Sequence, residues 1–139
     1  MTMGPDKKTI LETLEIIENK DERFAYIIDL GKNLKPLENA YKTDAFKIEG
    51  CVSNLWLVPE NREGRLYFSL DADAVITRGV GALVITLFSG LLPREVLDQD
   101  EALLKKIGIT QYLTPNRRNG LANLTKKIND YAHSFLINN

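Results

Sequence analysis

The chain has 139 residues, 44% of them hydrophobic, with 18 Lys and Arg against 19 Asp and Glu. That length supports one domain around a single core, residues 1–139, and is short for two. A net charge of -1 gives no general attraction to a phosphate backbone, which argues against a nucleic-acid partner and suits a protein partner. A single cysteine excludes an internal disulfide framework and agrees with a reducing cytosol. No leader-like apolar core opens the chain, and the longest apolar run, Val80 to Phe88, is too short to span a bilayer. A cytoplasmic protein with no membrane partner is expected.

In chain order, TILETLEIIEN places Ile10, Leu11, Leu14 and Ile17 on one helical face, with Thr9 and Glu12 at capping-box spacing. Asp21 can cap a second helix carrying Phe24, Ile27 and Ile28, with Gly31 at its C-terminal cap, and the two helices suggest an antiparallel hairpin. A polar loop with Pro36 follows. Phe46 and Ile48 then alternate with Lys47 and Glu49, the period of a half-buried strand. Asn54 to Val58 reads as a second strand, Pro59 to Gly64 as a turn, and Arg65 to Leu70 as a third strand.

The apolar face of this three-stranded antiparallel sheet needs cover. The segment Ala74 to Ser89, apolar nearly all round, is the expected central helix, with Asp73 as N-cap and Gly90 as terminator. Gly79 and Gly81 cost helix stability there, and so predict close backbone contact. Pro93 opens a short helix, and Asp100 can cap another over EALLKKIG. The last helix begins near Pro115 and buries Leu121, Leu124, Ile128, Tyr131 and Phe135. Helices, a meander, then helices describe an α+β two-layer domain.

The candidate chemistry centres on Cys51. Composition alone favours a small buried hydrophobe. Position points the other way: Cys51 follows Gly50 in a break between two predicted strands, a tip that a partner can reach. Its thiolate would be the reactive form, and Lys47, Arg117 and Arg118 are the cations best able to stabilise it, with the start of the central helix adding its dipole. A cysteine–histidine dyad lacks support, because the only histidine is His133 near the chain end. One Cys and one His cannot make a structural zinc site, and no Gly-rich phosphate loop is present. Asp71 and Asp73 could pair as acids, but Asp73 is better explained as a cap. Arg117 and Arg118 oppose the dipole of the helix they open, which suggests either a carboxylate partner or a solvated face.

Four stretches carry a family resemblance. EGCVSNLWLV resembles the G-C-Q-S-x-V-W pattern of the SufE family. DADAVITRGVGAL is similar to its S-D-A-x-I-x-x-G-L-x-A-L segment, and LTPNRRNGLANLTKKI to its L-x-P-S-R-x-x-G-L-x-x-M segment. YIIDLGKNL ahead of the proline loop also fits, so the matches run in family order over nearly the whole chain. Val52 stands where the family has Gln, and Asp71-Ala72 precedes Asp73 where Gly or Asp then Ser is usual.

The resemblance implies a SufE/IscU-like fold and allows a homodimer. It implies a sulfur acceptor for a SufS-type cysteine desulfurase, with Cys51 as the persulfide carrier that passes sulfur to an iron–sulfur scaffold complex. Pyridoxal phosphate is expected on the desulfurase, and this chain is expected to bind no cofactor or metal. Asp73 and Arg117 match family positions associated with the cysteine loop and the desulfurase contact. Two rivals remain: a non-catalytic interaction or regulatory module of the same fold, and an iron–sulfur scaffold like IscU, against which the lone cysteine argues.

Overall fold

Helical spacing in the first third becomes α1 (Lys7–Ile16) and α2 (Lys20–Lys32). The computed structural model describes residues 6–50, 53–99, 104, 107–109, 111 and 113–138. Both caps fall earlier than the sequence suggests. Asp6 caps α1 by accepting from the Thr9 N–H at 2.8 Å, and Asn19 caps α2 by accepting from the Glu22 N–H at 3.1 Å. Each is a short acceptor in extended backbone just ahead of the first turn, the geometry that satisfies a free helical N–H. Arg23 ties α2 to the end of α1, donating to the Leu14 and Ile17 carbonyls at 2.7 Å each.

Among the described residues the sheet has two strands, not the three expected. β1 (Leu55–Arg62) pairs antiparallel with β2 (Arg65–Ala72), in a register that sets Trp56 opposite Asp71 and Arg62 opposite Arg65. The expected first strand shrinks to one bridge, Lys47 to Trp56, held by Ile48 N–H to Leu55 O at 2.8 Å and Leu57 N–H to Phe46 O at 2.9 Å. Its alternation is real, since Ile48 is buried and Glu49 exposed. Turn hydrogen bonds from Phe46 and Lys47 back to Thr43 and Asp44 precede it, and Gly50 at φ 76° ends it, so the stretch is too short to make a ladder.

β1 also runs through the expected turn. Pro59 needs no N–H in the ladder on its outer edge, and the hairpin closes on Glu63 and Gly64 alone, at φ 54° and 88°.

The apolar segment after the hairpin is α3 (Val75–Phe88), with nine buried residues and contacts to α1, α2, β2 and the last helix. Its N-cap residue is Ala74, which offers no side-chain acceptor; Asp73 bonds to Asn54 instead. Glycines explain how α2 and α3 approach. Gly31 lies inside α2 rather than capping it, and a Cβ there would meet the Gly79 nitrogen at 2.6 Å. A Cβ on Gly79 would meet the Ile27 carbonyl oxygen at 2.6 Å. These are backbone atoms of two packed helices and cannot swing aside. Gly79→Ala is therefore expected to destabilise the protein by about 1–3 kcal/mol through overpacking, read as a lower urea midpoint.

α4 (Pro93–Asp98) starts on Pro93, and Glu95 reaches back to accept from the Leu92 N–H at 2.9 Å. The expected helix over EALLKKIG and its Asp100 cap lie largely outside the described residues, although Leu104 and Ile107 are buried. α5 (Pro115–Asn138) buries Leu121, Leu124, Ile128 and Ala132, with Tyr131 and Phe135 half-buried beside them. The core forms where α3 meets the inner face of the hairpin, around Leu55, Leu57, Leu66, Leu70, Leu83 and Leu87. Each such leucine contributes about 1.5–3 kcal/mol by leaving water.

Candidate functional site

Cys51 and Val52 lie outside the described residues, so the site is built from what flanks them. On one side, Gly50 backs onto α5: a Cβ there would stand 2.4 Å from Asn123 Nδ2. With φ at 76°, glycine suits the position for that close approach and for its backbone alike. On the other side, Ser53 Oγ and Thr77 Oγ1 lie 3.3 Å apart, joining the segment to the first turn of α3. Asn54 Nδ2 donates to Asp73 at 2.7 Å, and the Asp73 N–H donates to the Asn54 carbonyl at 3.1 Å. The chain around residue 51 is thus moored to α5 before it and to the β2–α3 junction after it.

Beneath Ser53 lies a cavity of about 320 Å³. The starts of α3 and α5 form two of its walls, with Ile76 and Thr77 on the first and Arg117 and Leu121 on the second. The side faces of the opening turns of both helices line this mostly apolar space. Arg117 supplies the one charged side chain in the described lining, and its Nη1 is buried without a hydrogen-bond partner.

The sequence candidates separate in the fold. Arg117 and Ser53 meet at the cavity. Asp73 is exposed and holds the shoulder of the segment through Asn54, without lining the cavity. Arg118 points to solvent. Lys47 lines a separate groove of about 200 Å³ with Glu49, Asn123, Lys126, Lys127 and Asp130. His133 is exposed, sixteen residues along α5 from Arg117, about 24 Å at 1.5 Å per residue, so it is no base for this cavity. Asp71 and Asp73 do not act as a pair. Asp71 is buried and bonded to Arg78, Lys42 and the Leu37 N–H, whereas Asp73 faces outward. Asn123 and Thr77 are site neighbours that pattern does not single out; an amide and a hydroxyl on helices carry no spacing signal of their own.

Among the described residues, no group of three or more His, Cys, Asp or Glu side chains is placed to hold a metal ion, and no helix is long and apolar enough to cross a membrane. A solved structure of similar fold is the solution structure of a hypothetical protein from Thermus thermophilus. It is 16% identical with a TM-score of 0.78, over 98% of this chain and 99% of that one. At that identity the likeness speaks for the fold. The family model described as SufE: Fe-S metabolism associated domain matches residues 8–132, which include Cys51, Asp73 and Arg117. With the α+β fold and nearly the whole chain matched, this protein belongs to the SufE family, associated with iron–sulfur metabolism.

Proposed function

We propose that this protein is a sulfur carrier. It accepts persulfide sulfur on Cys51 from a SufS-type, pyridoxal-phosphate-dependent cysteine desulfurase, stimulates that enzyme, and hands the sulfur on to iron–sulfur cluster assembly. The pyridoxal phosphate belongs to the desulfurase, and this chain brings only its thiol. The observation that carries the reading is the family match over residues 8–132 together with the cavity walled by Ser53. Two residues of chain reach at most about 7 Å, so Cys51 and the cavity are neighbours by connectivity.

The chemistry is thiol exchange on a sulfane sulfur. The Cys51 thiolate attacks the terminal sulfur of the enzyme's persulfide. The bond between that sulfur and the enzyme cysteine breaks, and the enzyme thiolate leaves with the electron pair. Sulfur, charge and protons balance, and no external oxidant or reductant enters. The step needs an ionised, accessible attacker and a good leaving thiolate, but no histidine on the acceptor. That is consistent with an exposed His133 remote from the cavity. The Arg117 guanidinium in the cavity wall is the positive charge available to favour the thiolate.

The test is intact mass spectrometry after incubation with a SufS-type desulfurase and cysteine. One or more sulfur atoms are expected on the chain, on the peptide that contains Cys51, and removable by a thiol reductant. An unchanged mass under conditions where the desulfurase turns over overturns the reading.

A further inference from the structure

From Asn33 to Lys47, between the end of α2 and the bridge to β1, no residue is buried. The stretch holds one short 3-10 turn, Asn39–Tyr41. Its internal hydrogen bonds are local, such as Tyr41 N–H to Glu38 O and Phe46 N–H to Thr43 O. A segment with no buried apolar side chain of its own stands at the low-stability end of a fold. Polar links fasten it instead. Among the described residues, the hydrogen bonds and ion pairs that tie residues 33–45 to the sheet or to α3 all end on Asp71 or Arg78. Arg78 donates to the Leu34 carbonyl at 2.6 Å, the Leu37 N–H donates to Asp71 at 3.0 Å, and Lys42 Nζ lies 3.3 Å from the same carboxylate. Lys42 Nζ also stands 5.6 Å from the centroid of the Trp56 ring, and Trp56 is the cross-strand partner of Asp71.

We propose that residues 33–47 form a strap that opens as one unit while the core stays folded, with Asp71 as its latch. One carboxylate holds two points of the strap at once, and it also anchors the guanidinium that holds the third. Loss of that charge therefore weakens all three links together. The strap rejoins the sheet through two hydrogen bonds, Ile48 N–H to Leu55 O and Leu57 N–H to Phe46 O, too few to keep the bridge closed once the chain behind it is free. Opening uncovers Trp56 and the outer edge of β1, and it loosens the chain entering Gly50, whose φ of 76° suits a hinge. Closed and open forms exchange continuously, and the latch sets their ratio. Lys42 is its accessible member, with a side chain 31% exposed against 3% for Asp71.

Native-state hydrogen exchange of the full chain, over a series of sub-denaturing urea concentrations, tests this. The Leu37, Ile48 and Leu57 amides report the strap, and the Leu83 and Leu87 amides, buried in α3, report the core. In wild type the three strap amides should exchange faster than the core pair and with little dependence on urea. Asp71→Asn is expected to speed all three by about tenfold or more. Lys42→Met, at a part-exposed position that leaves the core intact, should speed the same three by about threefold. Leu124→Ala, a cavity in α5, should speed the core pair and leave the strap amides unchanged. Strap amides that follow the core pair in rate and urea dependence overturn the separate opening. Acceleration of Leu37 alone in Asp71→Asn overturns the latch. If Asp71→Asn fails to fold, Lys42→Met decides by the same rule: unchanged Ile48 and Leu57 amides overturn the proposal.

Discussion

Replacing Cys51 by serine is expected to abolish sulfur acceptance completely and, with it, the stimulation of the desulfurase. The reason lies in ionisation. A free thiol titrates near ~8.5, so a few per cent is thiolate at neutral pH even without help, whereas a serine hydroxyl supplies essentially none. The substitution changes one atom and should spare the fold, because the flanking moorings use other groups. Gly50 packs on Asn123, Ser53 meets Thr77, and Asn54 binds Asp73. Circular dichroism and the thermal midpoint check this, and Cys51→Ala serves as a second variant. Two readouts are needed. Intact mass reports transfer, and alanine release by the desulfurase reports stimulation. Mass gain lost together with stimulation supports a covalent carrier. Full stimulation by Cys51→Ser, or equal sulfur loading elsewhere on the chain, would instead support a module that acts by docking alone.

Periodicity makes much of this fold legible. The central helix can be read because Val75 to Phe88 is apolar nearly all round, and the burial of nine of its residues follows from that composition. The stripe of α5 is legible for the same reason. Sequence and structure part where local pattern competes with tertiary contact. Gly31 looks like a helix terminator, but its use is to let α3 approach through Gly79, information that sits 48 positions away. Asp73 looks like a cap, but the Asn54 amide competes for its carboxylate and wins. Phe46 to Ile48 has strand alternation, which fixes the facing of side chains but says nothing of how long the pairing lasts. At the site, Arg117 and Ser53 lie in separate motifs of the family resemblance, and their meeting at one cavity requires the packing of α5 on the hairpin. The buried link between Asp71 and Arg78 has no signature at all: a strand end and a helix turn meet there, outside any helical or strand spacing.

That link gives the largest expected effect on stability. Asp71 lies at the end of β2 and is only 2% exposed. Its carboxylate binds the Arg78 guanidinium, lies 3.3 Å from Lys42 Nζ, and accepts from the Leu37 N–H at 3.0 Å and the Ala72 N–H at 2.9 Å. Arg78 also donates to the Gly31 and Leu34 carbonyls at 2.8 and 2.6 Å, so one ion pair joins β2, α2, α3 and the loop that follows α2. Asp71→Ala removes the carboxylate acceptor from a mostly buried guanidinium and from two backbone N–H groups, Leu37 and Ala72. The expected loss is about 3 kcal/mol, at the low end for a broken buried pair because Lys42 and Arg78 keep some contact with water. In a domain of this size that lowers the thermal midpoint by about 10 °C.

The pH dependence has a definite sign. Burial pushes the Asp71 carboxyl up, but the Leu37 and Ala72 N–H groups, Lys42 and Arg78 more than offset it and hold it below the ordinary 3.8. A carboxyl titrating lower in the folded than in the unfolded chain stabilises fully above the unfolded value. That contribution fades as the pH falls through the folded one. The gap in urea midpoint between wild type and Asp71→Ala should therefore be widest at neutral pH and shrink below about pH 4. Asp71→Asn, which keeps an acceptor for Leu37 but not the charge, should fall between the two. Because Asp71 stands two residues before Asp73, its loss should also loosen the Asn54 contact beside the cysteine. A gap that stays constant from neutral to acid pH would show that Asp71 acts through packing and not through its charge.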